Sequence, residues 1–172
     1  MKEIYLIAAV DEEFGIGKDG VLPWDLKKEM KHFQSTTTES ESDLENSVIM
    51  GRSTWDSIPE KHRPLRKRTN IVLTRNPEYK SEGAVVMNSI NAAIEKALEV
   101  SDKVFVIGGG RVYTDAIKHP DVTGVYLTKI KKNYDCDTFF PNMPESFTDI
   151  KSLGTEKEGE VEYEFLLYKK RP

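Results

Sequence analysis

The chain has 172 residues, a length that fits one domain, and its 38% hydrophobic content is enough for a core and too much for a disordered chain. With 25 Lys and Arg against 29 Asp and Glu, the net charge of -4 supplies no bulk positive excess for phosphate backbones, so no nucleic-acid partner is expected. One cysteine, Cys136, excludes an intrachain disulfide framework and a multi-Cys zinc site, and the three histidines lack HxH or HExxH spacing, so no metal centre is expected.

The first apolar run, Ile4 to Val10, is too short to span a membrane and carries no signal-peptide cleavage pattern. A cytoplasmic protein with no membrane partner is expected. The run reads as a strand buried on both faces. After Pro23-Trp24-Asp25, the recurrence of Leu26, Met30 and Phe33 predicts a helix, with Asp25 placed as its cap. Ser35 to Ser47 holds one large apolar residue, Leu44, and reads as a polar surface-loop insertion. Val48–Met50, Ile71–Leu73 and Ala84–Met87 are further strand candidates. Ser89 to Val100 carries an apolar stripe and predicts a helix capped by Ser89. Val104–Ile107 reads as a strand, Gly110–Lys118 as a helix stopped by Pro120, and Val125–Leu127 as a strand. Near the C-terminus, Val161, Tyr163, Phe165 and Leu167 alternate with other residues, as in a half-exposed antiparallel strand near an edge. Alternating strands and helices predict an α/β fold with a mainly parallel sheet covered on both faces. No long polar linker divides residues 1–172, which read as a single domain.

Glu29 is the most informative acid. It shares a helical face with Leu26, Met30 and Phe33, where an unpaired carboxylate is costly to bury. Either it flanks the stripe and reaches water, or it stands on a pocket wall awaiting a cationic or amidine-like partner. Glycines give a second signal: Val104–Ile107 runs into Gly108-Gly109-Gly110 and then Arg111-Val112-Tyr113. Such a turn lets a ligand approach the backbone, although a tight strand-to-helix turn explains it equally well. Val48–Met50 leads into Gly51-Arg52-Ser53-Thr54, and Leu73 into Thr74-Arg75. Three strand ends thus carry phosphate-compatible chemistry, where open α/β sheets bind ligands.

Together with these motifs, Gly15-Ile16-Gly17, Leu22-Pro23-Trp24, Val48 to Pro59, Arg63-Pro64-Leu65, Arg68 to Leu73, Tyr126-Leu127-Thr128, Asp137 to Pro141 and the Tyr163–Tyr168 strand follow one another along the chain. The ordered set resembles dihydrofolate reductase. The resemblance implies an oxidoreductase that reduces 7,8-dihydrofolate to 5,6,7,8-tetrahydrofolate with NADPH, through hydride transfer to C6 and protonation at N5. It also implies a sheet of about eight strands with an antiparallel C-terminal strand, a monomer, and antifolate inhibitors among the ligands.

Residue by residue, the resemblance gives Glu29 the catalytic place at the 2-amino and N3 edge of the pterin, Thr128 a hydrogen bond to that carboxylate, and Trp24 a place beside an ordered water. It sets Phe33, Ile58 and Leu65 against the pterin and benzoyl rings, with Ala8, Met30, Gln34, Pro59, Ile107 and Tyr113 also around the substrate. Arg68 matches the partner of the substrate's α-carboxylate. The implied cofactor residues are Ala9, Ile16, Gly17, Gly20 and Leu22 in and before a mobile loop; Gly51, Arg52, Ser53 and Thr54; Leu73, Thr74 and Arg75; and Gly108, Gly109, Gly110, Arg111 and Val112. Arg52 and Arg75 fall near the adenosine 2′-phosphate, and Gly108–Gly109 matches a cis peptide.

The 35–47 insertion, Glu29 and the Ile58–Leu65 stretch look like the eukaryotic branch. Met30 and His62 stand at positions that vary within the family. His32 reads as a surface residue and Cys136 as a passive, semi-buried thiol. A related pteridine or riboflavin-pathway reductase and a catalytically silent nucleotide-binding module are the alternatives. The combination of Glu29, Phe33 and Arg68 suits a folate with a carboxylate tail.

Overall fold

Strand β1 (Glu3–Val10) is buried along nearly all its length, and its side chains alternate between two cores. Ile4, Leu6, Ala8 and Val10 enter one hydrophobic cluster, while Tyr5 and Ile7 enter another on the opposite face. A strand apolar on both faces needs cover above and below, and helices supply it. The computed structural model describes residues 2–171, so positions 1 and 172 of the stretch read above as one domain lie outside the described residues.

After β1 come β2 (Gly15–Gly17), α1 (Lys27–Thr38), β3 (Asn46–Gly51), α2 (Arg52–Ser57) and a 3-10 turn at Glu60–His62. They are followed by β4 (Arg68–Leu73), β5 (Ala84–Met87), α3 (Ile90–Val100), β6 (Lys103–Gly108), α4 (Gly110–Ala116) and β7 (Gly124–Ile130). The chain ends with β8 (Thr138–Phe139), β9 (Asp149–Glu158) and β10 (Val161–Lys169). Eight strands form the main sheet in the order β5-β4-β3-β6-β1-β7-β10-β9. All pairs from β5 to β7 are parallel, and β10 and β9 add antiparallel at one end. The expected mostly parallel mixed sheet with an antiparallel C-terminal strand is therefore present.

Helices α3 and α4 pack on one face through Ala93, Ile94, Ala97, Tyr113 and Ala116. On the other face, Phe33 of α1 and Trp55 of α2 pack against Tyr5, Val48, Met50 and Phe105. Ser89 caps α3 as expected, its hydroxyl accepting from Ala92 N–H at 3.1 Å. The edge strand β9, exposed at most positions and offset from β10 by a register shift at Phe165/Leu166, is an element that the sequence reading does not contain.

Several expectations need correction. Asp25 does not cap α1; Leu26 holds the N-cap position without a side-chain bond. The helix read as Gly110–Lys118 ends at Ala116. The polar stretch 35–47 is not all loop: positions 35–38 continue α1, and Asn46 and Ser47 begin β3. Its polar residues fail to mark solvent because three of them are buried with partners. Thr37 donates to Phe33 C=O at 2.8 Å, Asn46 Nδ2 donates to Thr37 and Glu39 C=O at 2.9 and 2.8 Å, and Ser47 shares a 2.7 Å bond with Ser101. Only 39–45 is irregular. His32 is half-buried rather than on the surface, its ring stacked on Phe165 at 3.9 Å, and burial holds its pKa below the usual histidine range.

These two classes of residue in one segment predict opposite tolerances. Asn46→Ala strips two carbonyls, that of Thr37 buried and that of Glu39 partly so, of their donor and should lower unfolding free energy by about 1–3 kcal/mol in urea titrations. Trimming exposed residues 41–44 should change it by less than about 1 kcal/mol, since loop-closure entropy varies slowly with length.

Candidate active site

Three neighbouring strands place one residue each in a row beneath α1. Ala9 of β1 lies opposite Thr128 of β7, and Thr128 lies opposite Phe165 of β10. Glu29 is in the first turn of α1, above this row, and lines a cavity of about 310 Å³ with Leu22, Trp24, Leu26 and Met30. Trp24 and Leu26 are buried, with Trp24 edge-on to Tyr134 at 5.2 Å, whereas Met30 is 47% exposed and turned to the cleft.

Among the described residues, no Lys, Arg or His forms an ion pair with Glu29. Burial pushes its pKa up to about 7; the Thr128 hydroxyl pulls it down, and the negative charge of Glu158 adds to the rise. The carboxyl therefore stands half-buried on the pocket wall and, among the described residues, without a protein cation. Tyr113 is buried nearby. Its hydroxyl donates to Ile7 C=O at 2.7 Å, so its hydrogen is committed to the sheet, and burial followed by the Glu29 charge raises its pKa.

Further along α1, Phe33 packs against the same core as Ile58, Leu65 and Ile107. Gln34 and Pro59 are exposed beside these residues in sequence. Arg68 opens β4 and is held in place: Nε donates to Arg66 C=O at 2.8 Å and Nη1 to Thr37 Oγ1 at 3.0 Å. Burial lowers its pKa, and the remaining guanidinium hydrogens stay available.

The glycine turns converge as the sequence suggests. A Cβ on Gly51 would lie 3.2 Å from Val112 Cγ2, one on Gly109 would lie 3.6 Å from Thr54 Oγ1, and one on Gly110 would lie 2.9 Å from Thr138 Cγ2 and 3.6 Å from Ile16 Cδ1. The ends of β3 and β6 and the β2–β8 ribbon thus meet around backbone with little side-chain bulk. Gly108–Gly109 is cis. Leu73 packs at the main core and Thr74 N–H donates to Met87 C=O at 3.0 Å. The two arginines are not gathered into one cluster: Arg52 lies 3.5 Å from Asp56 and over Tyr79 at 4.3 Å, while Arg75 is exposed beyond β4. Ser53, Arg111, Gly20 and Leu22 are also exposed, and Gly17 lies in the strand leading to the Lys18–Val21 bridge. The glycine turns, with the Thr54 hydroxyl among them, suit a ligand that approaches the backbone closely. No His/Cys/Asp/Glu cluster among the described residues suits a metal ion.

A sequence model of dihydrofolate reductase matches residues 3–170. The chain belongs to the dihydrofolate reductase family. It is 44% identical to the dihydrofolate reductase of Heliothis virescens, covering 98% of this chain and 97% of that one, and 38% identical to that of Drosophila melanogaster, covering 99% of each. A solved dihydrofolate reductase structure from Schistosoma mansoni superposes with a TM-score of 0.83 at 36% identity over 99% of both chains. Among the described residues, no helix is long and apolar enough to cross a membrane.

Family membership does not reveal one residue beside the cleft that the sequence reading misses. Glu158, at the end of β9, reaches the first turn of α1, with Oε2 accepting Lys27 N–H at 3.0 Å and Oε1 accepting Lys28 N–H at 2.6 Å. No local pattern announces its hold on the helix, because its α1 partners lie about 130 residues away.

The raised pKa of Glu29 has a consequence for stability. The unfolded carboxyl ionises near 4.5 and the folded one near 7, so between these values the folded state holds more protons. Stability due to this group is full below 4.5, falls as pH rises to 7, and is flat beyond. Glu29→Gln should therefore gain on the wild type as pH rises through this window, by up to about 3 kcal/mol, in denaturant titrations at pH 4.5 and 8.

Proposed function

We propose that the protein reduces 7,8-dihydrofolate to 5,6,7,8-tetrahydrofolate, acting as a cytoplasmic monomer that antifolates of the diaminopyrimidine type inhibit. The observation that carries this reading is the Glu29 carboxyl, half-buried at the cleft wall and, among the described residues, without a cation. NADPH, when bound, supplies the hydride that goes to C6 of the dihydropterin. The turns at Gly51–Thr54 and Gly108–Val112, with Ala9, Ile16, Gly17, Gly20 and Leu22, are the residues that would hold it. Leu73, Thr74, Arg75 and Arg52 would face its adenosine end, with the arginines at the 2′-phosphate.

Glu29 receives the N3–H and 2-amino group of the pterin, two donors that match the two oxygens of a carboxylate. Thr128 and Trp24 hold that end of the ring. Ala8, Met30, Ile107 and Tyr113 enclose the pterin. Phe33, Ile58 and Leu65 pack on the rings toward the benzoyl group, with Gln34 and Pro59 at the rim. The enclosure fixes the face of C6 and keeps bulk water from it. The proton on N5 arrives through solvent, since Glu29 grips the opposite edge of the ring. The carboxyl orients and polarises the ring electrostatically. Arg68, already braced by Thr37 and the Arg66 carbonyl, pairs with the α-carboxylate of the substrate tail.

The direct test is loss of NADPH absorbance with dihydrofolate present, against a control without folate; equal rates in the two would overturn the reading. Glu29→Gln should keep NADPH binding and lose about 10²–10⁴-fold in turnover from pH 5 to 8. Arg68→Leu should raise the KM for dihydrofolate about tenfold to a hundredfold with a smaller change in kcat, since a hydrogen bond to a charged group contributes about 1.5–3 kcal/mol. Binding of a tailless diaminopyrimidine, measured by calorimetry, should be unchanged in that variant; parallel losses for tailed and tailless ligands would make Arg68 a structural support only.

A further inference from the structure

Helix α1 starts without a cap from its own segment. Leu26 is aliphatic, and no side-chain oxygen there bonds the first turn. The first free N–H groups of a helix need acceptors, and a negative charge beside them is favourable. Here the acceptor comes from the far end of the chain: the two carboxylate oxygens of Glu158 take Lys27 N–H and Lys28 N–H separately. Tyr163, fully buried on β10, donates its hydroxyl to Glu158 Oε1 at 2.6 Å and fixes the carboxylate from behind. A second tie runs alongside, from Lys28 Nζ to Glu156 Oε2 at 3.3 Å. Glu29 is the next residue of the same turn.

We propose that Glu158 is a positioning residue for the reaction: by gripping the first turn of α1 it sets where the Glu29 carboxyl stands over the Ala9–Thr128–Phe165 row, and its fixed negative charge acts on that carboxyl. The proposal rests on the role given to Glu29 above. It also follows from the surroundings of Glu29. Lys28, the next residue to Glu29 on α1, pairs with Glu156. His32 stacks on Phe165, and burial favours its neutral form. Asp25 lines the same cavity. Thr128 comes from β7. Tyr113 of α4 and Tyr163 of β10 both have pKa values raised, first by burial, and stay neutral. The Tyr163 hydroxyl, then the Lys28 N–H, hold Glu158 below the usual carboxylate range, so it is ionised while Glu29 titrates. After burial, it is the charge that favours a protonated Glu29.

The test is Glu158→Gln, which keeps one oxygen acceptor for the helix and removes the charge, with Glu160→Gln at the nearby hairpin as a control. Three quantities are measured: the titration of Glu29 by carboxyl NMR, the pH profile of NADPH-dependent turnover, and the Tm. In Glu158→Gln the Glu29 midpoint should fall by about 0.3 unit, and the acid limb of turnover, where protonation removes the carboxylate that grips the pterin, should move down with it, giving about a twofold higher rate there. Tyr163→Phe should produce a smaller shift in the same sense, and Glu160→Gln none. Glu29 titrations that superimpose in wild type and Glu158→Gln would overturn the proposal, even with a lower Tm, because Glu158 would then be a structural clamp alone. A shifted Glu29 midpoint with an unmoved turnover profile would support the action of Glu158 on Glu29 and refute the electrostatic role given to Glu29 in the reaction.

Discussion

A carboxyl at the wall of an apolar cleft is kept from full solvation, which lifts its pKa, and the parts of the molecule around Glu29 answer to that fact. The sheet beneath is buried on both faces and cannot give way. The helix that carries the acid is fixed at its start by Glu158 and along its length by Phe33 and by His32 on Phe165. The carboxyl has one hydroxyl to lean on and no protein cation, so its deficit is left for a ligand to make up. A ligand that brings two donors to that point gains what the folded protein lacks.

The second half of the cleft uses the opposite means. Around the ends of β3 and β6, space is kept by the absence of side chains: contacts near 3 Å around Gly51 and Gly110 leave little room for a methyl group. One side of the cleft thus presents a carboxyl with few partners, the other closely packed glycine backbone. The parallel strand order brings both to the same end of the sheet, and the β2–β8 ribbon joins them through Ile16 and Thr138.

What could be read from the sequence follows the range of the interaction. Runs such as Ile4–Val10 and Val104–Ile107 declare buried strands because burial on both faces leaves no polar alternation. Glu29 stands out as an acid among Leu26, Met30 and Phe33. Strand β9 is silent because it is held by backbone pairing with β10, and its exposed side chains carry no apolar period. Thr37, Asn46 and Ser47 mislead for a related reason: composition takes polar residues for solvated ones, while these are buried and bonded to backbone or to Ser101. The grip of Glu158 on α1 and the stacking of Arg52 over Tyr79 are contacts of tertiary structure that local spacing does not encode, whereas the Arg52–Asp56 pair is an i,i+4 contact within α2.

Strand β9 has a single neighbour, and its outer side ends the sheet. An open row of N–H and C=O groups is a template on which a strand from another chain adds. Here the template is spoiled. Gly154 takes φ of 126°, the pairing slips at Phe165/Leu166, and Lys151, Glu156 and Lys157 place charge along the ribbon. Ile150 and Leu153, 55% and 40% exposed, would otherwise offer apolar footing for such growth. A straightened, uncharged version of this strand would convert the end of a sheet into a seed for aggregation, with the helix that carries the acid attached to it.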